Sequence, residues 1–293
     1  MAVRNLRAAA EAALRHPDEA AALGVDDGEI ERWMAAADAV VVPLDEALGV
    51  TPQSEGFTRY RHWDFEQTPS DQYPLLLHHP YYALYSSQVV KQADLVFALY
   101  LCSDHFTPEQ KRRDFEYYER ITVRDSTLSA CIQAVVAAEV GHLDLAYDYL
   151  RESALVDLRD LAGNTGDGVH LASLAGTWLA VVAGFGGLRD HGEVVAFAPR
   201  LPAPLTRISF GLLLRGCQLR VEVTAEEARY DLVDGPPLPL VHHGKAVTAS
   251  VGEPLVLPCP PAPVVPPVSP PPGREPLRRG IGADEGPTAR YRR

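Results

Sequence analysis

The sequence predicts a mainly α chain with a C-terminal β domain: an incomplete (α/α)6 toroid, about half of the barrel, followed by a small antiparallel β-sheet domain. Three observations carry that prediction. Helical periodicity holds from the start to about residue 188 and then gives way to short β-like runs broken by Gly and Pro. Within the helical part, amphipathic segments alternate with segments that are apolar on nearly every side. The helices number about seven, whereas a closed ring of six hairpins needs about twelve.

Taken in order, residues 2–15 give the first helix, which starts at the initiator methionine with no capping residue before it; a larger fold is expected. Segment 27–40 sets Ile30, Trp33, Met34, Ala37 and Val41 at helical spacing on one face, with charges opposite. Segment 84–101 is apolar nearly all round and contains "VVKQADLVFALYL", in which Lys91 and Gln92 stand side by side. A buried, unpartnered ammonium costs several kcal/mol. Either Lys91 runs its stem along apolar surface with Asp94 nearby, or the pair faces a pocket. Segment 108–119 opens with a capping box, Thr107, Pro108 and Gln110, and carries Phe115 and Tyr118 on its apolar face.

Segment 126–140 is again apolar throughout, and 143–161 is amphipathic through Leu143, Ala146, Tyr147, Leu150, Ala154 and Leu158. Segment 169–183 closes the series as a third apolar helix. A helix with no polar face must be covered on every side, so the apolar helices form an inner ring and the amphipathic ones an outer ring. The expected domains are therefore residues 1–190 as the second half of the barrel, 191–258 as the β domain, and 259–293 as a proline-rich tail. Nine of residues 258–272 are proline, a composition that reads as a disordered extension biased to polyproline II.

Composition removes several function classes. The chain has 293 residues and a net charge of −12, with no basic block able to follow a phosphate backbone, so nucleic acid and anionic membrane are poor partners. The opening "MAVRNLRAAAEAALRHP" has no secretory apolar core, and no run has the length and isolation of a membrane span. Cys102, Cys131, Cys217 and Cys259 are far apart and form no CxxC, which points away from metal ligation and a disulfide framework and toward a cytoplasmic setting.

Three stretches could carry chemistry. The first is the Lys91–Gln92 pair. The second, "TVRDSTLSACIQ", places Asp125, Ser126, Thr127 and Ser129 at a helix start, where open N–H groups and the dipole favour an oxyanion. Capping alone explains one hydroxyl, not three, so helix capping and an oxyanion site stand as alternatives here. The third, "GNTGDGVHLASLAGTW", leads a Gly-rich loop into a helix with His170 in its first turn, without the P-loop pattern, so His170 reads as a structural residue or an anion ligand. The aromatic stretch with Trp63, Phe65, Tyr81 and Tyr82, interleaved with His62, Asp64, Glu66, His78 and His79, suits sugar stacking or an ordinary packed loop. Asp64 and Glu66 form no carboxylate pair whose separation the sequence fixes.

In order, "HPYYALYSSQVVKQADLVFALYL", "YYERITVRDSTLSACIQAVVAAEVGHLDLAYDYL", "DLAGNTGDGVHLASLAGTWLAVVAGFGG" and "FAPRLPAPLTRISFGLLLRGCQLRVEV" resemble glycoside hydrolase family 65, from about residue 5 to residue 258. This family includes maltose, trehalose, kojibiose and nigerose phosphorylases and some hydrolases. The resemblance implies an N-terminal β-sandwich, an (α/α)6 barrel and a C-terminal β-sheet domain, of which this chain matches the second half of the barrel and the last domain. It also implies that inorganic phosphate cleaves an α-linked glucose disaccharide with inversion, without any cofactor. A glutamic acid would protonate the leaving oxygen while phosphate attacks the anomeric carbon. Matched by position, Lys91 and Gln92 fall at the glucose and phosphate subsites, Ser126 and Thr127 on the family's "DSSLS" phosphate loop, and His170 on its Gly-rich loop.

Two local departures stand out: Arg124 occupies the usual histidine position, adding charge in a sense that favours phosphate, and "ASLAGTW" replaces "AAMGGTW". The family's general acid lies in a "DEY" motif, which this sequence does not contain, so no catalytic residue is assigned and the acid is expected upstream of Met1. The chain alone is accordingly expected to be inactive, and to associate with a second copy or a complementary N-terminal fragment. A family 65 hydrolase, with water as nucleophile, and a non-catalytic sugar- or phosphate-binding remnant are the competing readings.

Overall fold

The computed structural model describes residues 1–276. The chain divides into two compact units, Met1–Glu55 and Gly56–Arg293. In the first, α1 (Ala2–Arg15) packs against α3 (Asp27–Ala39), with α2 (Pro17–Ala22) between them in sequence. Asp26 caps α3 by accepting from the Glu29 amide at 2.7 Å. Of the apolar face expected on α3, only Ala37 is fully buried, while Met34 and Val41 are exposed.

The second unit opens with short pieces: β1 (Arg61–His62), α4 (Leu75–His78), α5 (Tyr81–Tyr85) and β2 (Ser87–Gln88). Only then comes α6 (Asp94–Leu101). The expected helix over residues 84–101 is thus broken, and Lys91 and Gln92 lie in the loop before α6. The cause is backbone pairing with residues 121–125. Val90 N donates to Ile121 O at 2.9 Å, Val123 N to Val90 O at 2.9 Å, and Asp125 N to Lys91 O at 3.0 Å. These bonds hold residues 90 and 91 extended alongside 121–125, out of helical register.

α7 (Pro108–Glu119) begins as its sequence dictates, with Thr107 Oγ1 accepting from the Gln110 amide at 3.1 Å. It is followed by α8 (Ser129–Val140), α9 (Leu143–Leu155) and α10 (Leu171–Leu179), which runs on into a π-turned segment, Ala180–Phe185. α8 and α10 each start later than the periodicity suggested, leaving Ser126, Thr127 and His170 in the approaches rather than inside the helices. α8 is buried at every residue except Glu139 and packs against α6, α7, α9, α10 and Ala180–Phe185. Its one deeply buried amide side chain, Gln133, donates from Nε2 to Glu119 Oε2 at 2.7 Å, while its Oε1 is buried without a partner.

The β part holds two small sheets. β4 (Arg207–Leu214), β5 (Cys217–Thr224), β6 (Glu227–Asp234) and β9 (Leu255–Pro258) form an antiparallel sheet in that order. β3 (Val195–Phe197), β7 (Leu238–His242) and β8 (Lys245–Ala249) form the other, where β3 runs parallel to β7, a departure from the all-antiparallel expectation. Alternation along β5 buries Cys217, Leu219, Val221 and Val223. The composition change near residue 190 is where helix yields to strand, and one hydrophobic cluster runs through it, from Leu99, Phe115 and Val136 to Val221, Tyr230 and Leu240.

The proline-rich segment differs from the disordered extension expected of it. Through residue 276 it is placed on the unit, with Pro270, Pro271, Arg274 and Pro276 buried. The rest of the tail lies outside the described residues. Among the described residues, no helix is long and apolar enough to cross a membrane.

Candidate functional site

The pairing of residues 90–91 with 121–125 sets two of the three sequence-singled stretches side by side. Lys91 is exposed, so the burial cost that drew attention to it does not arise. Gln92 is half-buried, and its Nε2 donates to Asp94 Oδ1 at 2.9 Å. Ser126 and Thr127 are half-buried in the turn leading into α8, and Ser126 Oγ accepts only a long bond, 3.4 Å, from the Leu128 amide. α8 therefore starts without a strong side-chain cap, and the Ser129 hydroxyl is buried without a partner.

The third stretch is joined to the second through Ser173, whose Oγ donates to Thr127 O at 3.2 Å. His170 sits just before α10 and is fixed by a residue that sequence reasoning missed. Asp157 Oδ1 lies 2.6 Å from His170 Nδ1, and its Oδ2 accepts from the His170 amide at 2.8 Å. Burial pushes the Asp157 carboxyl up, but the two hydrogen bonds from His170 outweigh it and hold the group below the usual carboxylate range. With Nδ1 committed to Asp157, Nε2 is the ring atom left to face a ligand.

Below these loops lies an open cleft of about 460 Å3 between α6, α8 and α10. Gln92, Leu128 and Ala172 line it, and they sit beside Lys91, Thr127 and His170 in sequence. Its floor is apolar and close-packed, since α10 meets α8 at Gly176, where a Cβ would lie 2.3 Å from Cys131 Sγ. The three stretches thus meet at one end of the same three helices.

Two charged side chains on the loop point apart. Arg124, at φ +54, is fully buried and turns away from any anion: its Nη1 donates to both Glu152 oxygens at 2.8 and 2.9 Å, and its guanidinium lies 4.9 Å from the Tyr149 ring centre. This corrects the expectation that Arg124 adds charge to the anion site; a neighbouring carboxylate neutralises it internally. Asp125 points the other way, accepting from the Leu75 amide at 2.8 Å and from Arg274 Nη2 at 2.7 Å. Burial pushes the Asp125 carboxyl up, opposed by Arg274, the Leu75 amide and Lys91.

The aromatic stretch is largely occupied with itself. Trp63 packs edge-on against His79 and donates to Thr68 Oγ1 at 2.9 Å, and Asp64 caps the Gln67 amide at 3.1 Å. Tyr81, Tyr82 and Tyr85 are exposed. Among the described residues, no group of three or more His, Cys, Asp or Glu is arranged to hold a metal ion.

Comparisons with known proteins identify the family. Residues 1–179 match the model of the glycosyl hydrolase family 65 central catalytic domain, and residues 188–249 match that of the family's C-terminal domain. The chain therefore belongs to glycosyl hydrolase family 65. An uncharacterized glycosyl hydrolase of Mycobacterium tuberculosis is 51% identical over 282 residues, 95% of this chain and 36% of that protein. The α,α-trehalose phosphorylase of Geobacillus stearothermophilus is 39% identical, over 87% of this chain and 34% of its own length. The kojibiose phosphorylase of Halothermothrix orenii is 35% identical, over 69% and 26%. A solved structure of a kojibiose-phosphorylase-like protein from the human microbiome superposes with a TM-score of 0.73 at 23% identity, over 83% of this chain and 32% of that one, which supports the fold alone. The chain spans between about a quarter and about a third of the length of these relatives.

Proposed function

We propose that this chain is the phosphate-holding part of an inverting disaccharide phosphorylase acting on an α-linked glucose disaccharide. The observation that carries the reading is the meeting of three polar stretches at the mouth of one cleft: Gln92, Leu128 and Ala172 line it, beside Lys91, Thr127 and His170. Lys91 supplies positive charge, Ser126 and Thr127 supply hydroxyl donors beside the start of α8, and His170 offers Nε2. Phosphate is already a nucleophile, so the work of such a site is to hold a dianion in line with the glycosidic bond. The cleft volume of about 460 Å3 suits a ligand of sugar size. Phosphate rather than water is favoured because the polar groups gathered there are a cation, an amide, hydroxyls and an imidazole, with Asp94 hydrogen-bonded to Gln92. The relatives that are named phosphorylases are named for trehalose, maltose or kojibiose, which supports an α-linked glucose disaccharide as the substrate class.

Turnover also needs a general acid, and the "DEY" motif that carries it in the resemblance is absent from this sequence. The purified chain is therefore expected to bind phosphate but to release no sugar 1-phosphate from trehalose, maltose or kojibiose. The apolar residues exposed on and before α10, Val169, Leu171, Leu174 and Trp178, favour association with a complementary fragment or a second copy. Calorimetric titration with inorganic phosphate, with and without glucose, tests the reading. A single phosphate site weakened by Thr127→Ala supports it; no phosphate heat, or robust phosphorolysis by the chain alone, overturns the respective half.

A further inference from the structure

The buried arginine at the end of the proline-rich segment has a place in neither the fold core nor the expected site. Arg274 is 3% exposed, and Asp125 stands 149 residues earlier in the chain. The local sequence explains how the chain delivers it. "PPGR" forms a turn in which Arg274 N donates to Pro271 O at 2.9 Å, with Pro272 and Gly273 central and Gly273 at φ +72. Proline at the second position and glycine in the left-handed region at the third are what such a turn requires. Pro270, Pro271 and Pro276 are buried around it, so both flanks of the turn are held. Before the turn the segment crosses the end of α8, where Pro263 and Val265 lie against Gly141, and Val268 packs on the core cluster.

The guanidinium meets the loop at two points and the Tyr73 ring at a third. Nε donates to Val123 O at 2.5 Å, Nη2 pairs with Asp125 Oδ1 at 2.7 Å, and the group lies 4.4 Å from the Tyr73 ring centre. In the ion pair the two side chains are 3% and 1% exposed, so water screens it little. Asp125 directly precedes Ser126 and Thr127. An unpaired carboxylate there would repel an incoming dianion and leave the loop free to turn.

We propose that Arg274 is a positioning residue of the anion site, and that residues 259–276 form a strap returning from the β part to clamp the loop at 121–128. This rests on the phosphate reading for its ligand, while the clamp itself does not. The strap neutralises Asp125, fixes Val123 O, and thereby presents Ser126 and Thr127 to the anion. Arg124 holds the same loop from the opposite side through Glu152, so the two arginines grip consecutive stretches of one turn.

The test uses the whole chain, with Arg274→Ala, Arg274→Lys and the double variant Arg274→Ala/Asp125→Asn. Amide hydrogen exchange across residues 121–128 should quicken about ten- to hundredfold in Arg274→Ala, as expected for losing a charge-assisted hydrogen bond pair, and less in Arg274→Lys. Calorimetry with inorganic phosphate should show about tenfold or greater weakening in Arg274→Ala. Asparagine keeps the acceptor for the Leu75 amide without the charge, so the double variant should regain the part of the phosphate affinity lost to the bare carboxylate, although it does not regain the strap. Unchanged exchange in Arg274→Ala overturns the clamp. Weakened phosphate binding that Asp125→Asn fails to rescue overturns the neutralising role. If the unaltered chain takes no phosphate, the anion reading fails and the exchange measurement alone decides whether Arg274 clamps the loop.

Discussion

α8 and α10 are written in nearly the same alphabet, and the fold treats them differently. Both lack a polar face, yet α8 is buried at all but one residue, whereas α10 buries only Ser173 and Gly176. α8 is enclosed by α6, α7, α9, α10 and Ala180–Phe185. α10 packs on α8 and α9 and leaves Leu171, Leu174 and Trp178 exposed. An all-apolar helix therefore announces how much cover it needs, and only the structure says how much of that cover the chain itself supplies. The difference also places the cleft, which opens where α10 is wrapped least.

The comparison can be broken most sharply in α8. Val135 is fully buried, and Val135→Asp would strand a charge among its neighbours. It should cost more than about 3 kcal/mol and abolish cooperative melting by circular dichroism; a melt within about 2 °C of the parent chain would contradict the enclosed position of α8. Next comes the seam between the helices. Gly176→Ala should cost about 1–3 kcal/mol despite the better helix propensity of alanine, because its Cβ would sit 2.3 Å from Cys131 Sγ and 2.6 Å from Cys131 Cβ. Denaturant midpoints would show it, and adding Cys131→Ala should recover only part.

A smaller effect tests the buried polar contact between the end of α7 and Gln133 of α8. Burial pushes the Glu119 carboxyl up, against hydrogen bonds from Tyr149 and Gln133 and the charge of Arg124. A group whose value is raised by folding lends stability that is full below its unfolded value and is lost as pH rises through the folded one. Glu119→Gln removes that dependence, so its melting temperature should gain on the parent as pH rises from about 4.5 toward neutrality. A constant difference between the two across that range would show that Glu119 stays ionised in the fold. The smallest change is expected on the exposed face. Leu174 is 39% exposed, and Leu174→Ser should alter the stability of the isolated chain by less than about 1 kcal/mol while reducing self-association in sedimentation.

The general plan was legible in the sequence, including the helical part, the change to strands near residue 190 and the cap at Thr107, because these rest on local periodicity and capping chemistry. Lys91 and Gln92 were found for a reason the structure removes. Their loop is extended because residues 121–125 pair with it, a long-range contact that no local window contains. Arg124 was misjudged for the same reason, since its partner Glu152 lies 28 residues away. Asp157, which orients His170, left only a weak trace as an acid 13 residues upstream. The strap had a readable signal in "PPGR", a turn sequence inside a run otherwise read as structureless.

The central claim is that one tetrahedral anion binds at the mouth of the cleft between α6, α8 and α10. A crystal of the chain grown with phosphate, or with tungstate as a heavy stand-in, tests it most directly. The account predicts a single well-ordered anion within hydrogen-bond distance of the Ser126 or Thr127 hydroxyl and His170 Nε2, with Lys91 turned toward it. Density for the anion elsewhere alone, as beside Lys111, Arg189 and Arg200 in the separate cleft they line, would contradict it.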